Sequence, residues 1–142
     1  MMVQAMLAID DLFVVTPEAV KDLFLDDIET YFKANEIYCS IDYTMIGKTG
    51  NMYKYDFHFQ RTKNAKERFC KGINKLDKQR RDLTLFNWMD TTEQHTEVSE
   101  LIVIYNDENS VSDDVLLGFF SYGIKTMPFS KRQEPNNLRL FA

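Results

Sequence analysis

Apolar residues recur at Val20, Leu23, Phe24, Ile28, Tyr31 and Phe32, the three-and-four spacing of a helix with one buried stripe. Asp22, Asp26, Asp27 and Glu29 fall off that stripe. Thr16 suits the N-cap, Pro17 the first helical position and Glu18 the positive end of the helix dipole, while Asn35 suits the stop. Further along, strict alternation replaces this period. Tyr53, Tyr55, Phe57 and Phe59 alternate with Lys54, Asp56 and His58, which predicts a strand with one core face and one solvated polar face. The run 37–46 and the turn Gly47-Lys48-Thr49-Gly50-Asn51 complete an antiparallel β-hairpin.

The remaining segments are read in the same way. Residues 64–76 predict a short helix with Ala65, Phe69, Ile73 and Leu76 inward and Lys66, Arg68, Lys71 and Lys75 outward; Gly72 weakens it by about 0.5–1 kcal/mol. Leu83 to Met89 reads as a strand, and Glu100 to Tyr105 as a central strand. Ser110-Val111-Ser112-Asp113 has capping-box spacing ahead of a helix over 111–122, with Val115, Leu116, Phe119 and Phe120 inward and Gly123 as the stop. Residues 124–129 form a final strand, placed at an edge by Pro128. Strand, helix and strand make a βαβ unit with a right-handed crossover. The expected fold is α+β: a single domain over 1–142, with an N-terminal helix, an antiparallel hairpin and a C-terminal βαβ unit in one mixed sheet. Residues 1–11 and 133–142 are expected as flexible or docking tails, the second docking through Leu138, Leu140 and Phe141.

Composition narrows the class. A chain of 142 residues, 44% hydrophobic, 27% charged and 13% aromatic, suits one well-filled core and excludes wholesale disorder. No apolar run approaches the roughly 20 residues of a membrane helix. The opening Met1 to Ile9 lacks a basic region and runs into Asp10-Asp11, so it does not read as a secretion signal. Cys39 and Cys70 read as reduced thiols of a cytoplasmic protein. Charge is unevenly spread. Residues 61–81 carry nine Lys/Arg against Glu67 and Asp77, a net of +7 that leaves −12 for the rest of a chain whose total is −5. Residues 90–114 hold eight acids and no Lys or Arg.

Candidate chemistry begins with Asp56, a lone acid in an aromatic strand. A metal-dependent nuclease of this layout needs that carboxylate, a following Asp/Glu-x-Lys to complete the ion's shell, and its Lys to position water. Neither Asp-x-Lys nor Glu-x-Lys occurs in the chain. Asp90 or Asp107 is the substitute partner in that alternative, with Mg²⁺ or Mn²⁺ as the cofactor. A solvated strand face is the simpler reading of Lys54, Asp56 and His58. If strands 83–89, 101–105 and 124–129 run parallel, their carboxyl ends gather Asp90-Thr91, Asn106-Asp107 and Ser130-Lys131-Arg132 at a crevice. The basic segment, through Lys66, Arg68, Lys71 and Lys75, is a candidate nucleic-acid surface. The acidic one, through Glu93, Glu97 and Glu100, is a candidate docking surface for a basic protein. His58, His95, Cys39 and Cys70 lack zinc-ligand spacing. Gly47-Lys48-Thr49 lacks phosphate-loop spacing and lies between strands. Trp88 reads as core.

Gly47-Lys48-Thr49-Gly50, Tyr53-x-Tyr55-Asp56-Phe57, Leu85-Phe86-x-Trp88-x-Asp90-Thr91, Asn106-Asp107 and Phe129-Ser130-Lys131-Arg132, in that order, resemble an uncharacterised bacterial and phage domain family. The likeness runs from about Leu12 to Arg132. Members of that family follow another uncharacterised domain in a longer protein, so this chain reads as a free-standing or truncated version. The resemblance implies a setting of prophages and mobile elements, no established reaction, and a fold with a degenerate nuclease-like cast. On that basis the leading expectation is a non-catalytic binding protein without a cofactor, an inhibitor of a host nucleic-acid-targeting defence system acting by protein contact. The alternative is a metal-dependent nuclease or nuclease-like nucleic-acid-binding domain using Asp56. A homodimer through the 124–129 edge is a further expected contact, and no membrane contact is expected.

Overall fold

The computed structural model describes residues 16–142; the expected tail 1–11 and the start of the family likeness lie outside the described residues. Thr16 caps helix α1 (Pro17–Ala34), its hydroxyl accepting from the Ala19 amide at 3.1 Å, and Asn35 ends it. The hairpin follows as β1 (Ser40–Ile46) and β2 (Met52–Phe59), with Gly50 at φ +86° in the turn, where glycine meets no Cβ penalty. Then come β3 (Glu67–Ile73), α2 (Lys78–Gln94), β4 (Ser99–Tyr105), α3 (Asp113–Ser121) and β5 (Lys125–Pro128). A 3₁₀ turn (Phe129–Lys131) and the short helix α4 (Pro135–Leu138) close the chain.

The five strands form one mixed sheet in the order β1-β2-β3-β4-β5. β1 pairs with β2 and β2 with β3 antiparallel, whereas β3, β4 and β5 run parallel. The α+β class, the N-terminal helix, the hairpin and the C-terminal βαβ unit are as expected. α2 and α3 cover one face with Tyr55, Phe69, Ile73, Leu85, Trp88, Leu101, Val103, Val115 and Phe119. α1 and the C-terminal tail cover the other with Phe24, Ile28, Phe32, Phe57, Cys70, Ile102, Ile104, Met127 and Phe141. Trp88 is core, and the tail docks through Phe141 with Leu138 and Leu140 beside it.

Two elements differ in kind from their prediction. The expected helix 64–76 is largely strand β3. Its spacing Phe69, Ile73, Leu76 imitates a helical stripe, but the segment is buried on both sheet faces, where a helix could satisfy neither neighbouring strand. Gly72 sits under α1 so closely that a Cβ would meet Leu25 and Ile28 at 2.8 Å. Arg68, expected outward, is 6% exposed. The expected strand 83–89 lies inside helix α2, started by Asp77, whose carboxylate accepts from the Arg80 amide at 2.8 Å. Its inward side mixes Leu85 and Trp88 with the polar Asp90 and Thr91, which disguises the period.

Smaller departures have equally local causes. Leu23 of α1 and Phe120 of α3, both expected inward, are 59% and 77% exposed. α3 starts at Asp113 with Ser112 as an N-cap that makes no side-chain bond, so the capping box is not formed. The alternation of β2 also breaks. Tyr55 packs with α2, but Phe57 packs with α1, although the two are a strand period apart. The break falls at Asp56, beside Asp42 of β1 at φ +56°, a left-handed conformation that aspartate tolerates better than most side chains.

Candidate functional site

Asp56 is where the strand face was expected to be wet, and it is not: it is 2% exposed, and His58 only 4%. The reason lies in the break of β2. The ladder between β2 and β3 holds from Phe57 with Cys70 to Phe59 with Arg68; one step beyond, the Asp56 carboxylate replaces a strand carbonyl and accepts from the Gly72 amide at 2.9 Å. Its second oxygen, Oδ1, is buried without a partner among the described residues. The Lys71 Nζ stands 3.9 Å from Oδ2 and donates to the Lys54 carbonyl at 3.1 Å.

Lys71 is the hinge of the site. Only 26% of its side chain is exposed, and its pKa is lowered by burial and by the neighbouring Lys21 and Lys54, with Asp56 opposing. It lines two adjoining crevices. One, of about 480 Å³, runs along Glu18, Lys21, Ile73, Lys75, Arg80 and Asn87; the other, of about 250 Å³, lies against Met52, Tyr53, Lys54 and Tyr55. Lys21, Lys71, Thr84 and Asn87 belong to both. Five cations thus converge between α1, the β2–β3 pair and α2. Only Lys54, with Asp42 at 3.4 Å, and Lys71 have a carboxylate partner among the described residues.

The other expected acids are used differently. Asp90 lies near the end of α2 and not at a strand end, because 83–89 is helical; the parallel set is β3, β4 and β5. It accepts from the Thr49 amide at 3.1 Å, the Thr49 hydroxyl at 2.5 Å and the Tyr53 hydroxyl at 2.6 Å, which hold its carboxyl below the usual range. A Cβ on Gly47 would overlap that carboxylate. Beside it, the Tyr55 hydroxyl and Thr91 hydroxyl are 2.8 Å apart, and burial pushes Tyr55 up to about 12 despite that bond. Asp107 does meet Ser130 at the carboxyl ends of β4 and β5, accepting from its amide at 3.0 Å and from its hydroxyl. Burial raises the Asp107 pKa, but those bonds outweigh it and the net shift is down. Asp56, Asp90 and Asp107 therefore serve three separate places. No group of three or more His, Cys, Asp or Glu able to hold a metal forms among the described residues.

The candidate binding residues also separate. The basic stretch does not make one face: Arg61, Lys63 and Lys66 lie in the loop before β3, whereas Lys71, Lys75 and Arg80 gather at the other end. Arg68 turns inward, over the Phe59 ring and onto the Leu140 carbonyl at 3.0 Å. Glu100 lies between Lys66 at 3.7 Å and Lys125 at 3.4 Å, Glu93 pairs with Lys48 at 3.1 Å, and Glu97 is exposed. Lys131 is exposed, and Arg132 lies over the Phe129 ring at 4.2 Å.

Residues 47–132 match a family described as domain of unknown function DUF1829. The chain belongs to that family. No curated protein and no solved structure matches it. The DUF1829 segment opens at Gly47, so its first signature is the turn clamped on Asp90. It also contains Lys54, Asp56, Lys71, Lys75, Arg80, Thr84 and Asn87, but not α1, which brings Lys21 to the crevice.

Sequence reasoning missed Lys21, Lys54, Arg80, Thr84 and Asn87, and a second buried cluster. In that cluster Glu67 accepts from both His58 at 2.7 Å and His95 at 2.5 Å, while Tyr43 stacks on His58 at 4.0 Å. Burial alone would raise the Glu67 pKa, but the two histidines bring it below its ordinary value. The available signal was strand pairing. Once 67–73 is a strand following the hairpin, Lys71 must stand beside Asp56. No helix of the described residues is long and apolar enough to cross a membrane.

Proposed function

We propose that this chain is a nuclease-like nucleic-acid-binding domain, and that it receives a backbone phosphate in the crevice over Lys71. One observation carries the reading: a mostly buried lysine, 3.9 Å from Asp56, sits among Lys21, Lys54, Lys75 and Arg80, and these five cations outnumber the carboxylates beside them, Asp56, Asp42 on Lys54 and Glu18 in the crevice lining. Like charges held this close in a partly desolvated place repel one another, and a bound anion relieves that repulsion. Of the three acids expected to meet a protein partner, Glu93 and Glu100 are already paired with lysines, which favours the crevice over that surface.

The same geometry favours binding over cutting. Asp56 and Lys71, on adjacent strands, match one carboxylate and the lysine of the nuclease arrangement. The position two before Lys71, where a second carboxylate belongs, is Phe69, packed against Tyr55 and Trp88 in the core. A divalent ion would find one buried carboxylate instead of a shell of oxygens.

Fluorescence anisotropy with labelled DNA and RNA oligonucleotides at low salt tests the reading. Binding should weaken as salt rises, and Lys71→Met should weaken it at least about tenfold. Absent binding, or binding indifferent to salt, overturns it. Incubation with Mg²⁺ or Mn²⁺ should leave the oligonucleotides intact; cleavage lost in Asp56→Asn would show hydrolysis in place of binding.

A further inference from the structure

We infer that the crevice takes an unpaired strand, with one phosphodiester between the two lobes and a nucleoside on either side; this rests on the nucleic-acid reading above. The lobes are about 480 and 250 Å³, separate in most of their lining yet joined through Lys21, Lys71, Thr84 and Asn87. Lys21 and Lys71 are cations and Asn87 carries an amide NH₂, the chemistry a phosphate requires, while the Thr84 hydroxyl donates to the Arg80 carbonyl at 2.7 Å. The flanking surfaces change character. The smaller lobe offers Met52 and the half-buried Tyr53 ring, with Tyr55 buried behind them; the larger adds Val20, Ile73 and Leu83 with Asn74 beside them. An aromatic wall on one side of a cationic junction and an aliphatic one on the other suit two bases and the phosphate that links them.

Paired nucleic acid fits this layout poorly. A duplex keeps its bases stacked inside, so it can offer phosphates to the junction but no base to either lobe. Its second strand must also pass the exposed carboxylates of Asp22 and Asp82, next in sequence to the crevice residues, besides Glu18 in the lining of the larger lobe. An unpaired strand bends away from Asp22 and Asp82 and meets Glu18 alone of the three as it fills both lobes.

The test compares a labelled 12-nucleotide single strand with a hairpin duplex of the same sequence, titrated with the whole chain by fluorescence anisotropy across a salt series. The single strand should bind about tenfold more tightly, the worth of one stacked base. Lys21→Ala, at an exposed position of α1, should keep the fold by circular dichroism and reduce the salt slope for the single strand by about 0.7. Equal or tighter duplex binding, or an unchanged slope in Lys21→Ala, overturns the inference while leaving the nucleic-acid reading in place. Failure to bind either oligonucleotide overturns that reading itself.

Discussion

Asp90 and Asp56 are both buried aspartates at the hairpin, and they are treated in opposite ways. Asp90 has both oxygens occupied, by the Thr49 amide and hydroxyl and the Tyr53 hydroxyl. Asp56 has one oxygen on the Gly72 amide, one with no partner among the described residues, and a lysine ammonium 3.9 Å away. A carboxylate with both oxygens engaged by its own chain, through three hydrogen bonds, is a structural tie. A half-satisfied one, 3.9 Å from Lys71, offsets one cation and leaves the charge of Lys21, Lys75 and Arg80 for a ligand from outside. The motif-rich turn is thus the lock that fixes the hairpin to α2, and the chemistry lies a few residues along the same strand.

The largest break in this comparison comes at the lock. Gly47→Ala places a methyl group where the Asp90 carboxylate stands, so the carboxylate or the turn must move. The expected loss is about 2 kcal/mol by urea unfolding, the usual scale of overpacking. Glycine is required there for space, since Gly47 is not among the positive-φ glycines. An unchanged midpoint would mean that the turn is not clamped on Asp90 in solution.

Asp56 sharpens the other half. Asp56→Ala leaves the Gly72 amide buried and unpaired, a cost of about 1–3 kcal/mol. Asp56→Asn keeps an acceptor for that amide and removes the negative charge beside Lys71. Its stability should fall by less than about 1 kcal/mol, and oligonucleotide affinity should rise severalfold. Paired urea and anisotropy measurements on the two variants check this. A severalfold loss of affinity in stable Asp56→Asn would mean that the carboxylate contributes to holding the ligand.

How much of this was legible follows from the same residues. The hairpin was readable because alternation and a turn rich in glycine act locally, and α1 because its cap and stripe agree. β3 and α2 were not, because their identity depends on partners distant in sequence. Glu67 and Arg68 look solvent-bound until His58, His95 and the tail carbonyls reach them. Asp90 and Thr91 interrupt the apolar stripe of α2 until Thr49 and Tyr55 come to meet them. Misreading β3 as helix hid the neighbour of Asp56, and with it the crevice. The acid expected on a solvated strand face is buried because its carboxylate completes a strand ladder.

The smallest expected effect belongs to the most conspicuous side chain of the signature turn. The Lys48 amide donates to the Asp90 carbonyl at 3.1 Å, a bond that any residue but proline supplies. Its ammonium reaches Glu93 at 3.1 Å, but the two side chains are 68% and 59% exposed, so water and salt screen the pair. Lys48→Ala should therefore lower the stability read from urea unfolding by no more than about 0.5 kcal/mol and leave oligonucleotide binding unchanged, since Lys48 lines neither crevice. A larger loss of stability would give the Lys48 side chain a share in the lock. A loss of binding alone would extend the nucleic-acid surface over the hairpin turn, because the charge can matter there only to something outside the chain.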